Sequence, residues 1–188
     1  MSVPTTTFEE IKKVDHQLSE MRKHYFYEHD LFKYQWWLLL VLAIVPWIIW
    51  AKLVDKSRLR EILLYGSIIS IIVVLLDDTG GELGLWSYPY QLIRLAPRLH
   101  PVDFAVLPVC HMLVYQYFRS WRSFVIANVI MSLVFSFIAE PLLVWLHIYD
   151  LDNWKYIYSF PLYIAKAMLV KWIVEIIIRR SKQAAARI

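Results

Sequence analysis

A chain of 188 residues with 59% hydrophobic and only 19% charged side chains is too apolar for an ordinary water-soluble globule. Its net charge of +4 arises from basic residues that flank apolar segments without forming one continuous patch, which excludes a nucleic-acid-binding surface. The lone cysteine, Cys110, excludes an intramolecular disulfide.

Residues 1–34 are too polar for a secretory core, and no small-residue cleavage site follows, so the segment is expected to stay attached. Thr6 with Glu9 and Thr7 with Glu10 both fit a capping box, and Ile11, Val14, Leu18, Met21 and Tyr25 then recur at spacings of three and four. That pattern predicts a short amphipathic helix, suited to a membrane surface or, through residues 8–25, to a second copy or a membrane partner. His24 and His29 do not share a helical face, so no metal or cofactor is expected there or elsewhere.

Five apolar segments follow, at residues 35–51, 61–76, 101–118, 123–147 and 156–178. A hydrocarbon core about 30 Å thick needs roughly 20 apolar residues per helix. The expected fold is therefore all-α, a polytopic transmembrane helical bundle over residues 35–180 with a basic tail at 181–188. Trp36 and Trp37 open the first segment and Trp47 and Trp50 close it, as interfacial anchors do. Pro46 and Pro108 are expected to kink their helices. Lys52, Lys56, Arg58 and Arg60 crowd the first connection, Arg119 and Arg122 the third, and Arg179, Arg180, Lys182 and Arg187 the end of the chain. The positive-inside rule then places the C-terminus in the cytoplasm and the N-terminus outside.

Within this apolar background a few polar residues stand out. Lys166 lies about ten residues inside the fifth segment, where a cation costs roughly 2.5 to 3.5 kcal/mol on insertion scales. Glu140, on the fourth segment, is its expected partner, because the two lie at similar depths in an antiparallel hairpin. Asn128, Ser132, Ser136 and Glu140 recur at every fourth position and so share a face, either as interhelical glue or as a polar lining. Asp77, Asp78, Glu82 and Asp103 gather at the same outer level, and adjacent aspartates at a helix C-terminus are unfavourable with the macrodipole. Deeper in the third segment His111 and Tyr115 share a face. Residues 79–100, with Gly80, Gly81, Trp86, Tyr88, Pro89, Tyr90 and Pro97, either fold over the outer mouth of the bundle or sit at headgroup level.

No phosphate-binding loop, dinucleotide fingerprint or common hydrolase motif occurs. At Glu82-Leu-Gly-Leu-Trp-Ser-Tyr-Pro89, at Pro108 to Phe118, and at Trp154-Lys-Tyr-Ile-Tyr-Ser-Phe-Pro161, the chain resembles an uncharacterised family of small multi-helix membrane proteins from spore-forming Gram-positive bacteria. The resemblance implies a bacterial plasma membrane and carries over no catalytic residue. The residues themselves point to an outward-facing pocket of Asp77, Asp103, His111, Glu140, Tyr163 and Lys166 that binds a small polar or amphiphilic ligand or passes protons. A membrane enzyme acting on a lipid or isoprenoid by acid catalysis is the alternative, and a structural or assembly subunit is a third.

Overall fold

A computed structural model describes residues 6–94 and 98–186, so Pro97 and Arg187 lie outside the described residues. The chain is almost wholly helical. Helix α1 (Phe8–Tyr25) starts at Thr7, whose hydroxyl accepts from the Glu10 N–H while the Glu10 carboxylate accepts from the Thr7 N–H, a complete capping box. It buries no residue, and Phe8, Ile11, Val14, Met21 and Tyr25 are exposed along it. A π-helical turn, Phe26–Asp30, leads into α2 (Tyr34–Leu53), and α3 (Leu59–Glu82) follows a single 3-10 turn. The third apolar segment holds a π turn, Val102–Val106, and then α4 (Leu107–Tyr117). The fourth runs as one rod through α5 (Trp121–Val134), a π turn (Phe135–Ala139) and α6 (Glu140–Trp145); the fifth is α7 (Tyr156–Ala185).

Three of these rods, Tyr34–Leu53, Lys56–Glu82 and Trp121–Trp145, are long and apolar enough to cross a membrane, where five crossings are expected from sequence. The other two fall short for identifiable reasons. Only 11 residues of the third segment are regular α-helix, and α7 carries Lys166, Lys171 and Glu175 within its apolar stretch.

Two of the π turns have a common cause. Proline donates no N–H and its ring clashes with the carbonyl four residues back, so the turn before Pro108 and the turn before Pro141 each widen. The first widened turn contains Asp103 and the second is followed directly by Glu140, so both acids sit at or beside a break in the local helical register.

The rods run up and down. α3 packs on α4 and α7, and α5 packs on α7 and α4. Ile62, Tyr65, Ile69, Met112, Tyr115, Phe124, Ala167, Val170 and Val174 form the central core. Met112 lies directly on Gly66, where any Cβ would meet its sulfur at 2.3 Å, and this lets α3 and α4 approach closely. At one end of the bundle the Asp55 N–H donates to Gln116, Arg58 pairs with Glu61, and Lys171 donates to the Arg119 carbonyl, so the first and third connections meet there. At the other end Trp86–Ser87 (β1) pairs antiparallel with Asp150–Leu151 (β2), joining the second connection to the fourth. The described part of the second connection up to residue 94 therefore folds over the bundle instead of trailing along its surface.

The burial pattern is inverted relative to a soluble helix. Along α5 and its continuation Asn128, Ser132, Ser136 and Glu140 are buried while Ile126, Ile130 and Ile138 are about 60% exposed.

Asp30 ties the N-terminal region to this end. Its Oδ2 accepts from the Gln91 N–H at 3.2 Å, while Oδ1 is buried with no partner among the described residues. Burial pushes the carboxyl up to about 6, against the Gln91 N–H and neighbouring His29, which act to lower it. A raised carboxyl contributes stability that is complete below its unfolded value near 3.9 and lost as pH rises through about 6. The melting temperature of the wild type is therefore expected to fall between pH 4 and pH 7 relative to Asp30→Asn, which keeps the acceptor for Gln91. Parallel melting curves of the two proteins in detergent across that range would contradict this account.

Candidate functional site

The site is built from four parts of the chain. The C-terminal half of α3 supplies Val73 and Asp77, the widened turn before α4 supplies Asp103, α6 supplies Glu140, and the first turns of α7 supply Ser159, Tyr163 and Lys166. Trp86 and Tyr88 from the folded-over connection and Tyr149 and Trp154 from the α6–α7 connection complete the walls. The cavity is open on one side and has a volume of about 100 Å³, room for several water-sized groups or a small organic molecule. Of the side chains lining it only Leu162 is exposed.

Each acid is held differently. Asp77 Oδ1 accepts from Trp86 Nε1 at 2.9 Å and from the Tyr88 hydroxyl, which fixes the carboxylate and leaves Oδ2 buried without a partner. Glu140 accepts from the Ser159 hydroxyl at 3.0 Å and the Tyr163 hydroxyl at 2.9 Å, and Trp154 Nε1 in turn donates to Ser159. Asp103 is faced by Asp77 and by Lys166. The Lys166 ammonium lies 4.2 Å from the centre of the Tyr163 ring, a cation–π arrangement. No carboxylate of the described residues lies within 4.0 Å of it in an ion pair, although Asp103 and Glu140 both face it.

The geometry thus departs from the direct Glu140–Lys166 pair expected from sequence. Ser159 and Tyr163 lie on the same face of α7 as Lys166 but nearer the connection, so their hydroxyls reach Glu140 first. The ring of Tyr163 then receives the ammonium, and the charges share a cavity without touching. Of the six residues expected to form a site, Asp77, Asp103, Glu140, Tyr163 and Lys166 line this one cavity. His111 does not. It is fully buried beneath the cavity, against Asn128, with Lys166 as its charged neighbour.

Asp78 and Glu82 turn away from the cavity. Both pair with Arg98, at 2.9 and 2.7 Å, so the second aspartate at the end of α3 is balanced by a guanidinium from the same connection. Asp77 and Asp103 form the partition between the main cavity and a second one lined by Asp78, Arg98, His100 and Phe104.

Tyr149, Trp154 and Ser159 line the cavity without a signal in the sequence, and Trp86 and Tyr88 line it from the connection that the sequence places either over the outer mouth or at headgroup level. Tryptophan and tyrosine beside an apolar segment read equally well as interfacial anchors, and only the pairing of β1 with β2 turns them inward. Lys171, 1% exposed, was also missed; it donates to the Arg119 carbonyl at 2.8 Å and lies 4.3 Å from the Phe124 ring centre.

No protein-family model, curated protein or solved structure matches the chain. The chemistry of the site rests on its own residues.

Proposed function

We propose that the chain is an integral protein of a bacterial plasma membrane in which the outer half of a helical bundle holds a binding cavity for a small molecule carrying both charges. Three rods of sufficient length and apolarity support the membrane reading, as do the exposed isoleucines and buried polar stripe of α5. Five crossings follow if α4, sheltered by its neighbours, and the 30-residue α7 also traverse the bilayer. The basic connections then mark the cytoplasmic side, placing the C-terminus there and the cavity and N-terminus outside.

One observation carries the ligand reading: a buried ammonium and two adjoining acids, Asp77 and Asp103, face one cavity with no ion pair between the ammonium and either acid. A zwitterion supplies an anionic group to Lys166 and a cationic group to the acids, with the aromatic walls covering its apolar part. Thermal-shift measurements on detergent-purified protein with glycine betaine and phosphoethanolamine test this, with ethanolamine and inorganic phosphate as single-charge arms. The zwitterions are expected to raise the melting temperature more than either arm, and Asp103→Asn to abolish the response while leaving expression and monodispersity intact. Equal shifts from phosphate alone, or an undiminished response in Asp103→Asn, would refute the mixed-charge site.

Acid catalysis on a lipid or isoprenoid is the competing reading, favoured by five aromatic side chains around three carboxyl groups and by the exposed Leu162. Lipid profiles of cells with and without the protein separate the two, since an enzyme must leave a changed product pool.

A further inference from the structure

Below the cavity the bundle holds a set of polar atoms that its own packing leaves unsatisfied. Ser136 Oγ, Ser132 Oγ and the Tyr65 hydroxyl are buried with no hydrogen-bond partner among the described residues, Asn128 Oδ1 and the His111 ring have only each other, and these five residues have no exposed surface. An orphaned buried polar group costs about 1 to 3 kcal/mol, so several together would consume much of the stability of a domain.

Their positions are ordered. Starting from Glu140 in the cavity wall, Ser136, Ser132 and Asn128 descend the inner face of α5 in steps of about 6 Å. Asn128 faces His111 on α4, and Lys166 lies above that histidine. One helical turn below His111, Tyr115 stacks on Tyr65 with ring centres 4.2 Å apart and donates its hydroxyl to Glu61 at 2.5 Å. Glu61 and Arg58, partly exposed, stand at the opposite end of the bundle from Asp77 and Asp103. Apolar packing alone gives no reason to place hydroxyl, amide and imidazole groups on one line across three helices. Ser70, by contrast, gives its hydroxyl to the Gly66 carbonyl of its own helix and takes no part.

We infer that this line is a hydrated seam that conducts protons between the cavity and Glu61. Water is the partner small enough to reach these groups, and a chain of waters held by them moves a proton by successive O–H bond exchange, with no redox partner required. The inference rests on the membrane-spanning reading and on the cavity as the outer end of the seam.

The test uses the full chain reconstituted in phosphatidylcholine–phosphatidylglycerol vesicles loaded with a pH-sensitive dye, with a potassium gradient and valinomycin as the driving force. Proton entry is expected to exceed that of protein-free vesicles at least tenfold. The Ser132→Ala, Ser136→Ala double variant and, separately, Asn128→Leu are expected to return it to the protein-free level, and Ser70→Ala to leave it unchanged. The alanine pair removes hydroxyls with little change of shape, so it answers even if Asn128→Leu fails to fold. Entry no faster than in protein-free vesicles, or entry that survives the alanine pair, would overturn the seam. A zwitterion thermal shift that persists without proton entry would leave the binding cavity standing and reject this inference alone.

Discussion

Lys166→Met is expected to lower the unfolding free energy by about 3 kcal/mol, and Asp103→Asn in the same chain to return most of that loss. Methionine matches the lysine stem in length and shape, so little packing is lost; what disappears is the one cation in a cavity that also contains Asp77, Asp103 and Glu140. The Tyr163 ring compensates the ammonium only partly, and its hydroxyl is committed to Glu140. Removing the cation leaves the carboxyl groups facing one another without the charge that offsets them, with Asp103 and Asp77 the most affected because they already adjoin. An amide in place of Asp103 removes the acid nearest the lost cation. Reversible unfolding in mixed micelles measures each corner of the double-mutant cycle. A loss below about 1 kcal/mol, the scale of a neutral hydrogen bond, or a double variant no better than Lys166→Met would mean that the amine does not balance these acids.

How much of this arrangement was legible in the sequence depends on whether the signal was local. The α5 stripe was, because a repeat of four residues is a helical face whatever surrounds it, and Asn128, Ser132, Ser136 and Glu140 are all buried. Lys166 was legible for the opposite reason: a cation in an apolar run is conspicuous by its cost. Its partner was not, since reach and depth could not reveal that Ser159 and Tyr163 satisfy Glu140 first. Arg98 illustrates the same limit. Nothing within a few residues links it to Asp78 and Glu82, and the contact exists only because the connection folds back on α3. Three rods meet the length and apolarity of a crossing where five segments suggest one each; the third segment falls short because its helix is interrupted before Pro108, and the fifth because lysines lie within α7. Lys171 carries no such signal, because a lysine in the second half of an apolar segment can snorkel toward headgroups, whereas here it turns inward onto aromatic rings.

The roof of the cavity depends on a single missing carbon. At Gly80 a Cβ would lie 2.0 Å from Cζ2 and 2.2 Å from Cη2 of Trp86, so no side chain fits while that indole holds its place. The indole is pinned by its N–H on Asp77, by edge contact with Trp154 at 5.3 Å, and by the pairing of β1 with β2. Gly80→Ala is therefore expected to cost about 1 to 3 kcal/mol in overpacking and to add the loss of one hydrogen bond to a buried carboxylate, freeing Asp77 and opening the cavity. The expected readouts are a fall in melting temperature, a red-shifted tryptophan emission as Trp86 gains solvent, and loss of the zwitterion response. The neighbouring position discriminates between a general helix effect and this contact. At Gly81 the nearest atoms, 2.8 Å away, belong to the Arg98 guanidinium, which pairs with Asp78 and Glu82 and does not touch the indole, so any shift there is confined to that ion-pair cluster. Gly81→Ala should therefore keep the tryptophan spectrum and the ligand response of the wild type. If the two alanine variants behave alike, the indole does not seal the cavity, and the folded-over connection only covers the bundle without shaping its site.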